Sequence, residues 1–538
     1  MRTVSILLLL LTRLSIAQEK DQPKIVVGIV IDQMRQDYLY RFFHQFSDGG
    51  FKRLLKEGYS FKNAHYNYVP TYTAPGHAAI YTGTTPAYNG IIANNWFSRE
   101  KGRSVYCVAD ETVSGVGGAD KSGKMSPKNL QVSTITDELR LASNFQSKVV
   151  GVSIKDRGSI LPAGHNPTGA YWFDSNTGNF MTSTYYLDQL PKWAKSFNRK
   201  RLVIKYLNQD WLPLLPMEQY TSSTEDDVAY ERAFKGQDKA VFPYSLKGLT
   251  ESNGLGLIRT TPFGNTIVLD MAMAAIEGEE LGMDSFTDFL AVSFSSTDYV
   301  GHAFGPNSIE LQDTYLRLDL EIKRLLDYLD SKFEQEYLVF VTADHGVVNV
   351  PLFLSDNKLS GGYLNVKNTD TFLQEKVQEA LGEGEWIIHA SNDQLFLNRE
   401  LINERKLALG DVQEIVKNIA LQIPEVTEAY TATELAKRNG TSLVRQLMEN
   451  GFNTKMSGDV VTRLKAGYID DGYGKAGTTH GSGYAYDTHI PMLFYGWNIP
   501  KGQSVRKVAI TDIAPSLSML LNTSLPNATT GQPLFELF

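Results

Sequence analysis

A single cysteine, Cys107, stands among the 538 residues. No internal disulfide can form, so the core and any bound metals must hold the fold. Long runs of lysine and arginine are missing too, and the formal net charge is −8. Without a basic footprint, nucleic acid is excluded as a general partner. Nor is there an apolar run long enough to cross a bilayer. The longest near the start, Val4 to Leu11, follows Arg2 and precedes a small-residue "SIA" ending at Ala17. That order is the pattern of a secretory signal over residues 1–17. It predicts a secreted or periplasmic chain, 18–538, with no membrane span after signal removal. Internal repeats and low-complexity linkers are also missing.

Hydrophobic residues make up 42% of the chain, enough for a large core. Single cores rarely grow beyond about 250–300 residues, so two domains or one domain with large insertions is expected. "KIVVGIVID", "SKVVGVSI", "DFLAVSFSS", "YLVFVTAD" and "IPMLFYG" are near-continuous apolar runs, the signature of strands buried on both faces of a parallel sheet. Helical patterns separate them, including "VSTITDELRLAS", "GNTIVLDMAMAAIEG" and the long "SIELQDTYLRLDLEIKRLLDYLDSKF". The alternation predicts an α/β fold with a central, largely parallel sheet and helices on both faces. Two stretches break the rhythm, at about 160–262 and about 351–478. Both read as cap insertions over the carboxyl ends of the strands, within one catalytic domain.

In open α/β sheets, ligands bind beyond the carboxyl ends of the strands. Here those ends carry Asp32 ("VIDQMR"), Asp298 and His302 ("STDYVGH"), and Asp344 and His345 ("ADHG"); His480 follows late in "GTTHGSGY". Any one of these aspartates alone would be read as a helix cap, and any one histidine as structural. Asp298 and His302 stand at i and i+4, one face of a helical turn. Gly346 would allow a turn that aims Asp344 and His345 at one site. Three aspartates and three histidines together point to a dinuclear metal centre. Carboxylates and imidazoles without thiolate suit Zn²⁺ first, with Mn²⁺ or Fe as alternatives.

The stretch "YVPTYTAPGHAAIYTG" poses a question about Thr73. Threonine before Ala-Pro is a usual helix N-cap. Its hydroxyl would equally serve as a nucleophile if a metal lay beside it.

With "YVPTYTAPGH", "GIIANNWF", "GVSIKDR", "GLIRTTPFGNT", "STDYVGHAFGPNSIE", "ADHG" and "GTTHGSGYAYDTHIP" in order, the chain resembles the alkaline phosphatase superfamily over nearly its whole mature length. Within it, the chain is similar to the phosphate-irrepressible alkaline phosphatases of the PafA type. The resemblance implies hydrolysis of small phosphate monoesters through a phosphothreonine on Thr73, with two zinc ions per chain. One zinc would be held by Asp298, His302 and His480. The other would be held by Asp32, Asp344, His345 and the Thr73 oxygen. Asn94, Lys155 and Arg157 would contact phosphate, and His489 stays structural. A monomer is implied as well. Lys155 and Arg157, at i and i+2 of an extended segment, would share a face.

The alternative is a phosphodiesterase or nucleotide pyrophosphatase of the same superfamily. Charge separates the two, because a monoester dianion carries an additional ionised oxygen for the Lys155/Arg157 pair. Cys107 in "YCVADE" lacks the proline and arginine that resemblance to a sulfatase would require.

Overall fold

The computed structural model describes residues 22–474 and 476–538. The signal expected at 1–17 lies outside them. Eleven strands form the main sheet. Its principal members are β1 (Ile25–Ile31), β2 (Tyr59–His65), β3 (Val149–Ser153), β4 (Gly169–Asp174), β5 (Asn179–Ser183), β6 (Asp288–Phe294), β7 (Tyr337–Thr342) and β8 (Met492–Gly496). They lie side by side as β2-β8-β7-β1-β6-β3-β4-β5. The pairs from β7 through β1, β6 and β3 to β4 are all parallel.

The strands read from apolar runs are these central ones, and every residue of β1, β3, β6 and β7 is buried. The flanks differ from expectation. "IPMLFYG" does give a strand, but β8 runs antiparallel to β7. β2 was not marked by an apolar run, because buried and half-buried positions interrupt each other along it. The sheet is therefore mixed, with a parallel centre.

The two expected insertions behave differently. Residues about 160–262 are not a cap set upon the sheet. Their hairpin supplies β4 and β5, and β4 extends the parallel array beside β3. Beyond it, Phe197, Trp211, Tyr244 and Leu257 join the main apolar core. The aromatic side chains of this stretch serve the core itself. Residues about 351–478 are organised differently. They build a four-stranded sheet of their own, packed under helices Val366–Leu381 and Leu409–Ala420. Trp386, Val416 and Val460 lie in that second core.

Register decides where the chemistry goes. Ile31 of β1 is level with Phe294 of β6, Val30 with Thr342 of β7, and Ser153 of β3 with Ser293. Asp32, Lys155, Asp344 and the helix bearing Asp298 thus leave four adjacent parallel strands at one edge.

Candidate active site

Thr73 opens helix α1 (Thr73–Thr82). It is not the cap: Tyr72 holds that position, in extended conformation, and no side chain caps the helix. The buried Thr73 hydroxyl is instead turned to the sheet edge, 3.4 Å from Lys155 Nζ and 3.5 Å from both Arg157 Nη2 and His345 Nε2. The helix start still brings free amides and the positive end of its dipole to this place. Asn94 Oδ1 accepts the Ala74 N–H at 2.8 Å, which leaves its amide NH₂ as a donor. Gly76 permits the approach of α1 to the strand end. A Cβ there would stand 2.3 Å from the Asp344 carbonyl oxygen.

Asp32, Asp344 and His345 form one set and Asp298, His302 and His480 a second, each with its ligand atoms within 4.8 Å of one another. The first is wholly buried, and the second opens slightly through its histidines. Asp298 and His302 lie on one face of helix Ser296–Phe304, with His302 Nε2 3.1 Å from Asp298 Oδ1. Asp344 and His345 follow β7 as expected, but the role of Gly346 differs. Its φ is not positive. A Cβ on it would lie 2.2 Å from the Tyr486 carbonyl oxygen, so close backbone packing requires glycine here.

Each of the three histidines is oriented by a backbone carbonyl. His302 Nδ1 faces Thr478 O at 2.7 Å, His345 Nδ1 faces Gly346 O at 2.9 Å, and His480 Nδ1 faces Thr71 O at 2.7 Å. A carbonyl only accepts, so the proton sits on Nδ1 and the Nε2 lone pair is presented to the site. Burial pushes His345 down to about 3 and His480 well below its usual value, with His345 adding to the latter. Burial, with Asp32 beside it, pushes Asp344 well above the ordinary carboxylate range. Asp32 Oδ1 and Asp344 Oδ2 are buried with no hydrogen-bond partner. Orphaned carboxylate oxygens and neutral imidazole nitrogens around one space are a donor set that fits divalent cations.

Lys155 sits where the two sets meet. Its Nζ donates to Asp32 Oδ2 at 2.7 Å and to Asp298 Oδ2 at 2.6 Å. Burial works against its charge, but Asp298 and Asp32 outweigh this and raise its pKa. The expected extended i, i+2 pair is not found. Lys155 is the extended N-cap of helix Asp156–Ala163, and Arg157 is already helical. The two cations converge on Thr73 because the chain turns between them. Arg157 Nη1 also donates to Tyr106 Oη at 3.1 Å. His489 is remote in role, stacked on His65 at 4.6 Å with Nε2 facing Lys62 O.

Gln33 was missed. It joins the two sets, giving its backbone N–H to Asp344 Oδ1 at 3.1 Å and its side-chain NH₂ to Asp298 Oδ1 at 2.8 Å. Its φ of 68° is strained for a non-glycine residue, a feature that gathers at functional sites. The only signal in the sequence was its place directly after Asp32. Tyr299, directly after Asp298, was missed likewise; its ring lies 5.1 Å from Lys155 Nζ.

A buried nucleophile candidate between two carboxylate–histidine sets, at the carboxyl edge of a parallel sheet, defines a metallohydrolase of the alkaline phosphatase type. The model of the type I phosphodiesterase / nucleotide pyrophosphatase family matches residues 26–482, and the chain belongs to that family. Among known proteins, it is 46% identical over 517 residues to alkaline phosphatase PafA of Elizabethkingia meningoseptica, covering 96% of this chain and 94% of that one. It is 46% identical over 522 residues to alkaline phosphatase PhoV of Synechococcus elongatus, covering 96% and 93%. A protein of Myroides odoratus named calcium-transporting ATPase is 46% identical over 525 residues, covering 97% and 96%. The crystal structure of wild-type PafA matches with a TM-score of 0.93 and 46% identity over 96% of this chain and 99% of that one.

Proposed function

We propose that this chain is an alkaline phosphatase that hydrolyses small phosphate monoesters through a phosphothreonine on Thr73. The observation that carries the reading is the place of the Thr73 hydroxyl, within 3.5 Å of Lys155, Arg157 and His345 at once. Asp32, Asp344 and His345, with the Thr73 oxygen, would hold one zinc ion, and Asp298, His302 and His480 the other. When bound, such ions act as Lewis acids that favour the alkoxide and offset charge on the attacking and leaving oxygens.

The rest falls to this chain's own groups. Thr73 Oγ1 attacks phosphorus in line, a Thr–O–P bond forms, and the bond from phosphorus to the leaving oxygen breaks. Water then attacks the phosphothreonine on the opposite face, which releases inorganic phosphate and restores the hydroxyl. Lys155, whose Nζ lies 3.4 Å from Thr73 Oγ1, would donate to a phosphoryl group carried there. Arg157 offers two N–H groups to non-bridging oxygens, and the Asn94 amide offers an uncharged donor. Gln33 keeps Asp298 and Asp344 aimed at the site. Secretion after removal of residues 1–17, a monomeric state, and one catalytic domain over 18–538 complete the reading. They rest on the N-terminal pattern and on the family likeness.

The family's name favours a second reading, hydrolysis of phosphodiesters. Charge weighs against it, since a diester leaves one of the two cations at Thr73 without an ionised oxygen. The deciding experiment measures kcat/KM for a chromogenic monoester, the matching diester and ATP, side by side on zinc-loaded enzyme. A strong preference for the monoester is expected; a preference for the diester overturns the proposal.

A further inference from the structure

Arg157 meets Thr73 through one edge of its guanidinium. Nη2 stands 3.5 Å from Thr73 Oγ1, and Nε is buried without a hydrogen-bond partner. These two nitrogens share one side of the fork, so a bidentate anion would take both. The third nitrogen is already engaged, since Nη1 donates to Tyr106 Oη at 3.1 Å. Both side-chain hydrogen bonds of Arg157 thus go to hydroxyls and neither to a carboxylate. A carboxylate in direct contact would offset the charge that phosphate requires. A phenol holds the group and leaves that charge whole.

The Tyr106 hydroxyl also has a fixed polarity. It donates its own proton to Asp156 Oδ1, which accepts the Arg157 backbone N–H at 2.6 Å as well. Its lone pairs are therefore left for Nη1. Burial first, and Asp156 next, raise the pKa of Tyr106, so the phenol stays protonated. Tyr106 closes strand Arg103–Tyr106, and Asp156 opens helix Asp156–Ala163. Two elements distant in sequence grip one guanidinium. The next residue on the strand side, Cys107, donates its N–H to Asn94 O at 2.9 Å. The same chain segment thus braces the uncharged phosphate donor too.

Resting on the monoesterase reading, we propose that Tyr106 is a positioning residue for Arg157. Its hydroxyl, oriented by Asp156, fixes Nη1 so that the Nε–Nη2 edge faces a phosphoryl group on Thr73. A monoester, with its additional ionised oxygen, depends on that edge more than a diester does. Tyr106 therefore contributes to the choice between the two substrates without touching either.

The test is a double-mutant cycle on zinc-loaded enzyme: wild type, Tyr106→Phe, Arg157→Ala and the two combined. Each is assayed on a chromogenic monoester and the matching diester, and for inhibition by vanadate. Phenylalanine keeps the ring in place, and Tm and zinc content check that each variant is folded and loaded. Tyr106→Phe should lower monoester kcat/KM about tenfold, the worth of one hydrogen bond to a charged group, and the diester value less. Vanadate should bind more weakly by a similar factor. Beside Arg157→Ala, loss of the hydroxyl should cost little more, because its effect passes through that side chain. A Tyr106→Phe loss that is equal on both substrates, or that persists in full beside Arg157→Ala, overturns the proposal. So does wild-type turnover in Tyr106→Phe while Arg157→Ala is impaired. An unimpaired Arg157→Ala would instead overturn the role of Arg157 itself, and this inference with it.

Discussion

Buried carboxylates stand at both ends of the central sheet, yet only at one end are their hydrogen bonds completed by the backbone. At the amino end, Asp288 opens β6 and accepts N–H bonds from Lys148 at 2.6 Å and Gly282 at 2.7 Å. Both of its oxygens are satisfied by fixed backbone donors. At the carboxyl end, Asp32 and Asp344 each keep a buried oxygen with no donor, and Asp298 and Asp32 share one ammonium. Burial is common to both ends. What differs is whether the backbone finishes the hydrogen bonding or leaves the charge for something else to complete. A carboxylate is structural where the fold satisfies it, and chemical where the fold declines to.

The largest test of that contrast lies at Thr73. Thr73→Ala should remove nearly all turnover, whereas Thr73→Ser should keep a substantial part, because only serine retains a hydroxyl able to attack. Acid quenching with labelled phosphate should leave the label on Thr73. A label on any other residue would move the nucleophile elsewhere.

Next in size come the cations. Lys155→Ala and Arg157→Ala should each cut monoester kcat/KM by about 10²–10³ and narrow the preference over the diester. Equal proportional losses on both substrates would assign the pair to general anion binding.

Metal removal should affect the two catalytic sets unequally. Prolonged chelation should abolish activity and added Zn²⁺ restore it. The set that opens slightly through its histidines, Asp298, His302 and His480, should empty first, which elemental analysis along the time course would resolve. Full activity in protein free of transition metals would end the metallohydrolase reading.

The smallest effect belongs to the amino end. Asp288→Asn should leave kcat near wild type, since no contact joins it to the site. Its signature is in stability. Burial raises the Asp288 pKa to about 6, so the folded state holds its proton more tightly than the unfolded chain, whose carboxyl titrates near 3.9. The contribution of Asp288 is then greatest at low pH and declines as pH rises through about 4–6. The total is of order 3 kcal/mol, from about two pKa units at 1.36 kcal/mol each. Chemical denaturation of wild type and variant across that window should show stability slopes that differ, with wild type losing relative to the variant as pH rises. An equal slope in both would mean that the carboxylate is not the titrating group.

The parallel centre of the sheet was legible in the sequence, and so were the residues that the fold brings together at its carboxyl edge. Apolar runs such as "IVVGIVI" admit few places other than a strand covered on both faces. The polar residues that end those runs must then meet at one edge. Asp32, Asp298, His302, Asp344, His345 and His480 were legible for that reason, and Thr73, Asn94, Lys155 and Arg157 through motif likeness. The direction of β8, the entry of the 169–183 hairpin into the main sheet, and the separate core within residues about 351–478 emerge only in the folded chain. The tertiary structure also decided that Tyr72, not Thr73, caps α1, that Lys155 spans both acidic sets, and that Gln33 ties them together. The reason is the same throughout. Strand burial is a property of a short local pattern. Strand direction, the partner of a buried amide and the satisfaction of a carboxylate depend on groups hundreds of residues away, which meet only when the chain has folded.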